Sequence, residues 1–295
     1  MNRDIICHIG FPKTGTTYLQ NQVFPLLKNI NYVTSEQIKS ALHDIIEKDD
    51  SYYDENNIRN QIDERHIQNQ DMLFSYEPLS GHHIKTECPN RSQIARRLKR
   101  AGVSKIIITI RNQTDILEST YKQYIKSGGV LKISDFFDFE GNQNPWFYIK
   151  YFDFESIIDL YIQIFGRENV LIIQYEDFYS KNNILNHQFA EFLKIEKKDF
   201  HITNDLKINK SLSNFSIKLL RIINHFTYNS YRPSSLLGRK FSTHLFFKIL
   251  KYFMSQHDTS LMISKYQVEI ISRFSESNGM LQKKFNINLH EKYGV

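Results

Sequence analysis

Four short apolar runs, none of them alternating with polar residues, are the feature that most narrows what this chain can fold into. They are Asp4 to Gly10 (DIICHIG), Met72 to Glu77 (MLFSYE), Lys105 to Arg111 (KIIITIR) and Asn169 to Asp177 (NVLIIQYED). Continuous apolar runs of this length mark strands buried on both faces, the habit of parallel sheets. Between and after them the apolar spacing turns helical: TTYLQNQVFPLLKN after the first run, then RSQIARRLKRAG up to Gly102, TDILESTYKQYIKSGG with its C-terminal glycine at 128, and FESIIDLYIQIFG up to Gly166. A glycine at the end of each of the last three is a helix stop. Strands alternating with helices imply right-handed crossovers and an α/β, three-layer architecture around a mainly parallel sheet.

Past residue 200 the pattern changes to helical stretches with polar connections, notably SNFSIKLLRIINHF and STHLFFKILKYFM. The 295 residues, 41% of them hydrophobic, suffice for one large core. The expectation is therefore a single domain, 1–295, with an αβ core over 1–200 and a helical C-terminal part over 201–295.

Composition removes several function classes. Only Cys7 and Cys88 occur, so there is no disulfide framework and no CxxC pattern. No cluster of His, Cys and carboxylates has metal-ligand spacing, and no metal is expected. The net charge of +6 suits an anionic ligand without demanding nucleic acid, and a mildly basic surface accounts for it equally well. The start, MNRDIICHIG, lacks a signal-peptide core, and no run of ~18 apolar residues occurs, which predicts a cytoplasmic location.

The loop Gly10-Phe11-Pro12-Lys13-Thr14-Gly15-Thr16-Thr17 joins the first strand to the first helix. It resembles a nucleoside-triphosphate P-loop with one change: Thr16 stands where the phosphate-binding Lys follows the second Gly, and Lys13 comes earlier. That weakens an Mg-ATP reading. A backbone cradle at a helix start remains, able to take one phosphate. A glycine-containing turn with a Thr helix cap is the bland alternative. PKTGTT after a strand resembles the 5′-phosphosulfate loop of the sulfotransferases that use 3′-phosphoadenosine 5′-phosphosulfate (PAPS). The resemblance implies a P-loop fold, PAPS as donor, Pro12, Lys13, Thr14, Gly15, Thr16 and Thr17 at the donor, and Lys13 at the leaving oxygen.

PAPS carries a second phosphate, and a second anion site is legible. Arg111 ends a strand, and the following helix places Ser119 eight residues later in IRNQTDILESTYKQY. A guanidinium fork and a hydroxyl can clasp a phosphate. The pair is similar to the family's 3′-phosphate motif, which continues with a Tyr matched here by Tyr121; Gln113 stands where many relatives have Pro.

A base must take the acceptor's proton. Glu77, closing MLFSYE at the carboxyl end of a strand, is the leading candidate. FSYEPLSG resembles the corresponding segment of glycan sulfotransferases, whereas phenol and steroid sulfotransferases use a His after this strand, for which His82 and His83 are available. Asn209-Lys210-Ser211-Leu212-Ser213 resembles a segment of bacterial members that folds over the donor, bringing Lys210 and Ser211 to the nucleotide; a Ser-capped helix start explains it as well.

RSQIARRLKR (91–100) is a basic helix, fit either to face an acidic glycan or to be a solvated outer face. LLGRKFSTHLFFKILKYFM mixes aromatics with basic residues as membrane-surface helices do, and core packing explains the same pattern. Arg239 and Lys240 within it are candidates to neutralise the donor. Trp146 is placed in a candidate acceptor loop. The resemblance, with the Glu in place of His and a Lys-, Asn- and Ile-rich composition, points to a bacterial enzyme sulfating a hydroxyl or amine of a glycan precursor. A Mg-ATP-dependent P-loop kinase and a non-catalytic nucleotide- or glycan-binding protein of the same fold are the rivals.

Overall fold

In the computed structural model the chain is described over residues 3–81, 90–137, 139, 146–179, 184–196, 213–227 and 262–295. Among these residues five strands, β1 (Ile5–His8), β2 (Ile30–Val33), β3 (Asp71–Ser75), β4 (Lys105–Ile110) and β5 (Val170–Gln174), make one sheet in the order β2-β3-β1-β4-β5. Every pairing is parallel, with Cys7 standing between Phe74 and Ile106.

The pleat divides the apolar runs between two cores. Ile5, Cys7, Met72, Phe74, Ile106, Ile108 and Ile110 enter the larger one. There they meet α2 (Lys39–Glu47), α3 (Glu55–Asp63), α4 (Arg91–Arg100), α5 (Gln113–Lys126), α7 (Phe154–Phe165), α9 (Asn214–Ile223) and the C-terminal α10 (Gln267–Phe285). The short α6 (Ile133–Phe137) adds aromatic rings to the same side. Ile6, Leu73, Ile107 and Ile173 point the other way, against the helix that starts at Thr16 and against α8 (Ile184–Leu193). Burial on both faces is why these strands read as unbroken apolar runs.

Three differences from the sequence reading stand out. β2 was not anticipated: it has four residues, and only Ile30 and Val33 are buried. The first helix, α1, is not uniform. An α-turn (Thr16–Tyr18) passes into a π-turn (Leu19–Val23) and a 3-10 turn (Phe24–Leu26) that Pro25 enters at its start. It ends before the expected Asn29. The strands also stop one to three residues early, at His8, Ser75, Ile110 and Gln174. Pro78 has no N–H to give a ladder, and the Asn112 N–H is spent on Glu176. The residues that close the apolar runs are thereby freed from the sheet and gathered at its carboxyl edge.

That edge has a defined crevice. The connection after β1 leads toward β2, and the one after β4 leads to β5 on the opposite side. Adjacent strands whose loops diverge leave a cleft between them, where α/β sheets bind ligands.

Candidate active site

The first wall of the cleft is the loop after β1. Gly10 has no space for a side chain, since a Cβ there would lie 2.3 Å from Thr109 Oγ1. Lys13 sits at φ 67° and Gly15 at φ 86°. For Lys13 this left-handed conformation costs about 1–2 kcal/mol. A Cβ on Gly15 would strike the Phe178 ring at 2.3 Å. Thr14 Oγ1 donates to the Phe11 carbonyl at 2.5 Å and lies 2.7 Å from Thr109 Oγ1, which fixes the turn from inside. Gly15 caps α1 without a side-chain bond, and the N–H groups of residues 13–17 donate to no described group, as in an anion cradle. Thr17 is exposed with its hydroxyl unpaired among the described residues. Pro12 is half-buried and has no N–H to give.

Lys13 and Glu77 sense each other's charge across this loop. Glu77 begins the 3-10 turn Glu77–Ser80 that follows β3, and its carboxyl receives a hydrogen bond from the buried Thr16 hydroxyl. Burial lifts its pKa above the ordinary carboxylate value, against the opposing pull of the Thr16 bond and the Lys13 charge. The Lys13 ammonium donates to Gln123 Oε1 at 3.1 Å. Burial holds its pKa below the ordinary value, with Glu77 raising it and Arg111 lowering it further. A desolvated acid and a desolvated cation thus lie within electrostatic reach of one another.

The second wall is the start of α5. Arg111 donates through Nη1 to the Lys13 carbonyl at 3.2 Å, stacks its guanidinium 4.3 Å from the Tyr175 ring centre, and stands 3.9 Å from Asp115. Its Nε is buried without a partner among the described residues, the kind of unmet donor a bound anion satisfies. Asp115, Ser119 and Gln123 follow at intervals of four on one face of α5. Gln123 holds Lys13, so Ser119 is carried on the face turned to the loop, and its half-buried hydroxyl has no described partner. These unmet groups fit a ligand with two separated phosphates.

Several residues that shape the site escaped the sequence reading. The turn Tyr175–Tyr179 after β5 supplies the ring under Arg111 and the ring against Gly15. Glu176 accepts from the Asn112 backbone at 3.1 Å, from its side chain at 2.8 Å and from the Tyr293 hydroxyl at 3.2 Å, tying α5 to the C-terminal segment. A cluster of aromatics just past a strand was the available signal. Gln113, the departure from the family pattern, exchanges two amide bonds with Asn278 of α10 at 3.0 and 3.1 Å. Tyr121 is buried and donates to the Leu131 carbonyl at 2.9 Å.

The basic helix 91–100 is in part the solvated outer face expected for it, with Arg96, Lys99 and Arg100 exposed, and in part structural. Arg97 is 1% exposed and caps the carboxyl end of α2 through the Asp44, Ile45 and Lys48 carbonyls. Arg91 donates to the Ser80 and Tyr151 carbonyls, and Arg100 pairs with Glu55. Trp146 packs on the core, 5.8 Å from the Tyr124 ring. His82, His83, Cys88, Lys210, Ser211, Arg239 and Lys240 lie outside the described residues. Among the described residues no group of His, Cys, Asp and Glu is placed to hold a metal, and no helix is long and apolar enough to cross a membrane.

Comparison with known proteins gives the chain its class. The family profile described as the sulfotransferase domain matches residues 3–244. The chain belongs to the sulfotransferase family, the PAPS-dependent enzymes of sulfuryl transfer. A sulfotransferase from Alicyclobacillus acidocaldarius shares the fold over 100% of both chains, with a TM-score of 0.59 at 14% identity. A mouse sulfotransferase complexed with PAP aligns over 96% of this chain and 90% of its own, with a TM-score of 0.46 at 14% identity. No curated protein sequence matches.

Proposed function

We propose that this enzyme moves the sulfuryl group of PAPS to a hydroxyl of a carbohydrate, with residues 13–17 at the 5′ side of the donor and Arg111 and Ser119 at its 3′-phosphate. The observation that carries the reading is the convergence of Lys13, Glu77 and Arg111, from the ends of three strands, on one cleft. Glu77 takes the proton of the attacking hydroxyl as its oxygen bonds to sulfur. Lys13 stabilises the charge on the phosphate oxygen as the bond from that oxygen to sulfur breaks. Lys210 and Ser211 complete the nucleotide contacts in this reading, and residues 201–295 add to the acceptor side of a single domain spanning 1–295.

A groove of about 640 Å³ supports a neutral sugar as acceptor. It is lined by Gln20, Asn21, Asn31, Tyr32, Thr34 and Gln70 among others, amides and hydroxyls around one aromatic ring, with no charged side chain. Gln20, on its wall, donates to Ser75, two residues before Glu77. The enzyme is read as bacterial and cytoplasmic, acting on a surface-glycan precursor.

Calorimetric titration with the product nucleotide 3′-phosphoadenosine 5′-phosphate (PAP), without divalent metal, tests the donor site. Arg111→Ala is expected to lose about 10- to 150-fold in affinity, the worth of charged hydrogen bonds. A preference for Mg-ATP would favour a kinase instead. Assay of labelled sulfuryl transfer to lactose, cellotriose and maltotriose, beside phenol, tests the acceptor class.

A further inference from the structure

Beneath the phosphate loop runs a chain of polar groups centred on His8, which the chemistry above leaves unused. His8, the last residue of β1, is fully buried and packs edge-on against Phe24 at 5.3 Å. Both ring nitrogens are engaged: Nδ1 is 2.7 Å from Ser75 Oγ, and Nε2 is 3.2 Å from Thr109 Oγ1. The loop passes directly over the ring, since a Cβ on Gly10 would sit 2.6 Å from Nε2.

Counting protons fixes the direction of every bond. The Phe11 carbonyl can only accept, so the single Thr14 hydroxyl proton goes to it at 2.5 Å. Thr14 Oγ1 must then accept from Thr109 at 2.7 Å, which commits the Thr109 proton. Thr109 in turn accepts from His8 Nε2–H. Nδ1 is left bare and accepts the Ser75 proton, while Ser75 Oγ accepts from the Gln20 amide at 3.0 Å. Burial keeps the imidazole neutral by pushing its pKa down to about 3. The chain therefore runs one way, from Gln20 through Ser75, His8, Thr109 and Thr14 to Phe11.

Its two ends are the two halves of the catalytic pair. Ser75 closes β3 two residues before Glu77, and Phe11 and Thr14 bracket Lys13. We propose that His8 is a positioning residue, which locks the strand end carrying the base to the loop carrying the leaving-group lysine through a single imidazole tautomer. The proposal rests on Glu77 acting as the base. Ser75 and Thr109 are positioning residues in the same sense, and none of the three touches substrate.

Two variants separate positioning from mere packing. His8→Phe keeps a ring against Phe24 but strands the Ser75 hydroxyl and the Thr109 oxygen, and is expected to lower the melting temperature. Adding Ser75→Ala and Thr109→Val removes the stranded groups. The triple variant should melt within a few degrees of the parent and bind PAP about as well, while kcat stays down by about 100-fold, the effect of misplacing a reacting group by 1 Å. Turnover is read as PAP release from PAPS with the best saccharide of the panel, or with water. A triple variant with the parent's kcat would overturn the proposal, and so would a loss of PAP affinity as large as the loss of kcat.

If the triple variant does not fold, nitrogen NMR of the intact protein decides. A bare Nδ1 and a protonated Nε2, unchanged from about pH 5 to 9 around the unperturbed histidine value, are expected. The opposite tautomer, or a titration in that range, refutes the relay. Glu77→Gln distinguishes the two levels: full activity in that variant removes the base assignment itself, whatever His8 does.

Discussion

The two walls of the cleft are built in opposite ways. On the β1 side, Gly10 to Thr17 are consecutive residues, and their shape is set from within and beneath by Thr14, Thr109 and His8. On the β4 side, Arg111 is held by groups from far along the chain: Tyr175 under its guanidinium, Glu176 bracing Asn112 from 64 residues away, and Tyr293 bracing Glu176 from 117. A contiguous cradle can be written in a short motif. A clasp assembled from several elements is only as rigid as the packing of all of them, so the two walls should respond differently to substitution.

The sharpest break between them is expected at Glu77. Glu77→Gln should reduce kcat by about 10²- to 10⁴-fold, the usual worth of a general base, with PAP affinity nearly unchanged by calorimetry. In the parent enzyme, kcat/KM should rise with pH through an acid limb above the ordinary Glu value of 4.5, because protonated Glu77 cannot accept a proton. It should fall through an alkaline limb below the ordinary Lys value of 10.5, as Lys13 loses its charge.

A smaller and more selective effect belongs to the second wall. Arg111→Ala should weaken PAP by about 10- to 150-fold yet leave adenosine 5′-phosphate, which lacks the 3′ group, nearly untouched. Equal losses for both nucleotides would mean that Arg111 supports the loop through the Lys13 carbonyl and not through phosphate. Tyr175→Leu removes the stacked ring, worth about 0.5–2 kcal/mol, and should cost PAP about 2- to 30-fold with the same nucleotide selectivity. Ser119→Ala should be mildest, about 2- to 12-fold in PAP affinity, as for one neutral hydrogen bond.

The difference between the walls also explains what could be read from the sequence. Four strands and the loop were legible because burial on both faces and the glycine-threonine turn leave local marks. β2 left none, being a four-residue edge strand with two half-buried positions. Lys13 was legible as a loop residue and Glu77 and Arg111 as strand-end residues, but their neighbours were not. Gln123 differs from any polar helix residue only through its bond to Lys13, and Phe178 only through its seat against Gly15. Tyr121 fits a motif by spacing yet spends its hydroxyl on Leu131, and Arg97 lies in a charge run yet is buried as a helix cap. Spacing records which face a residue occupies, and partners are a tertiary property.

The paired amides of Gln113 and Asn278 span 165 residues, and the Tyr293–Glu176 bond spans 117. Contacts of such separation carry a larger loop-closure cost than the sheet pairings and are expected to close after them. A fragment that stops before residue 262 would hold all five strands and the complete phosphate loop, but the foot of α5 would lack its brace. Nucleotide binding should therefore lag behind sheet formation during refolding, and the delay between the two signals would time the docking of the C-terminal helix.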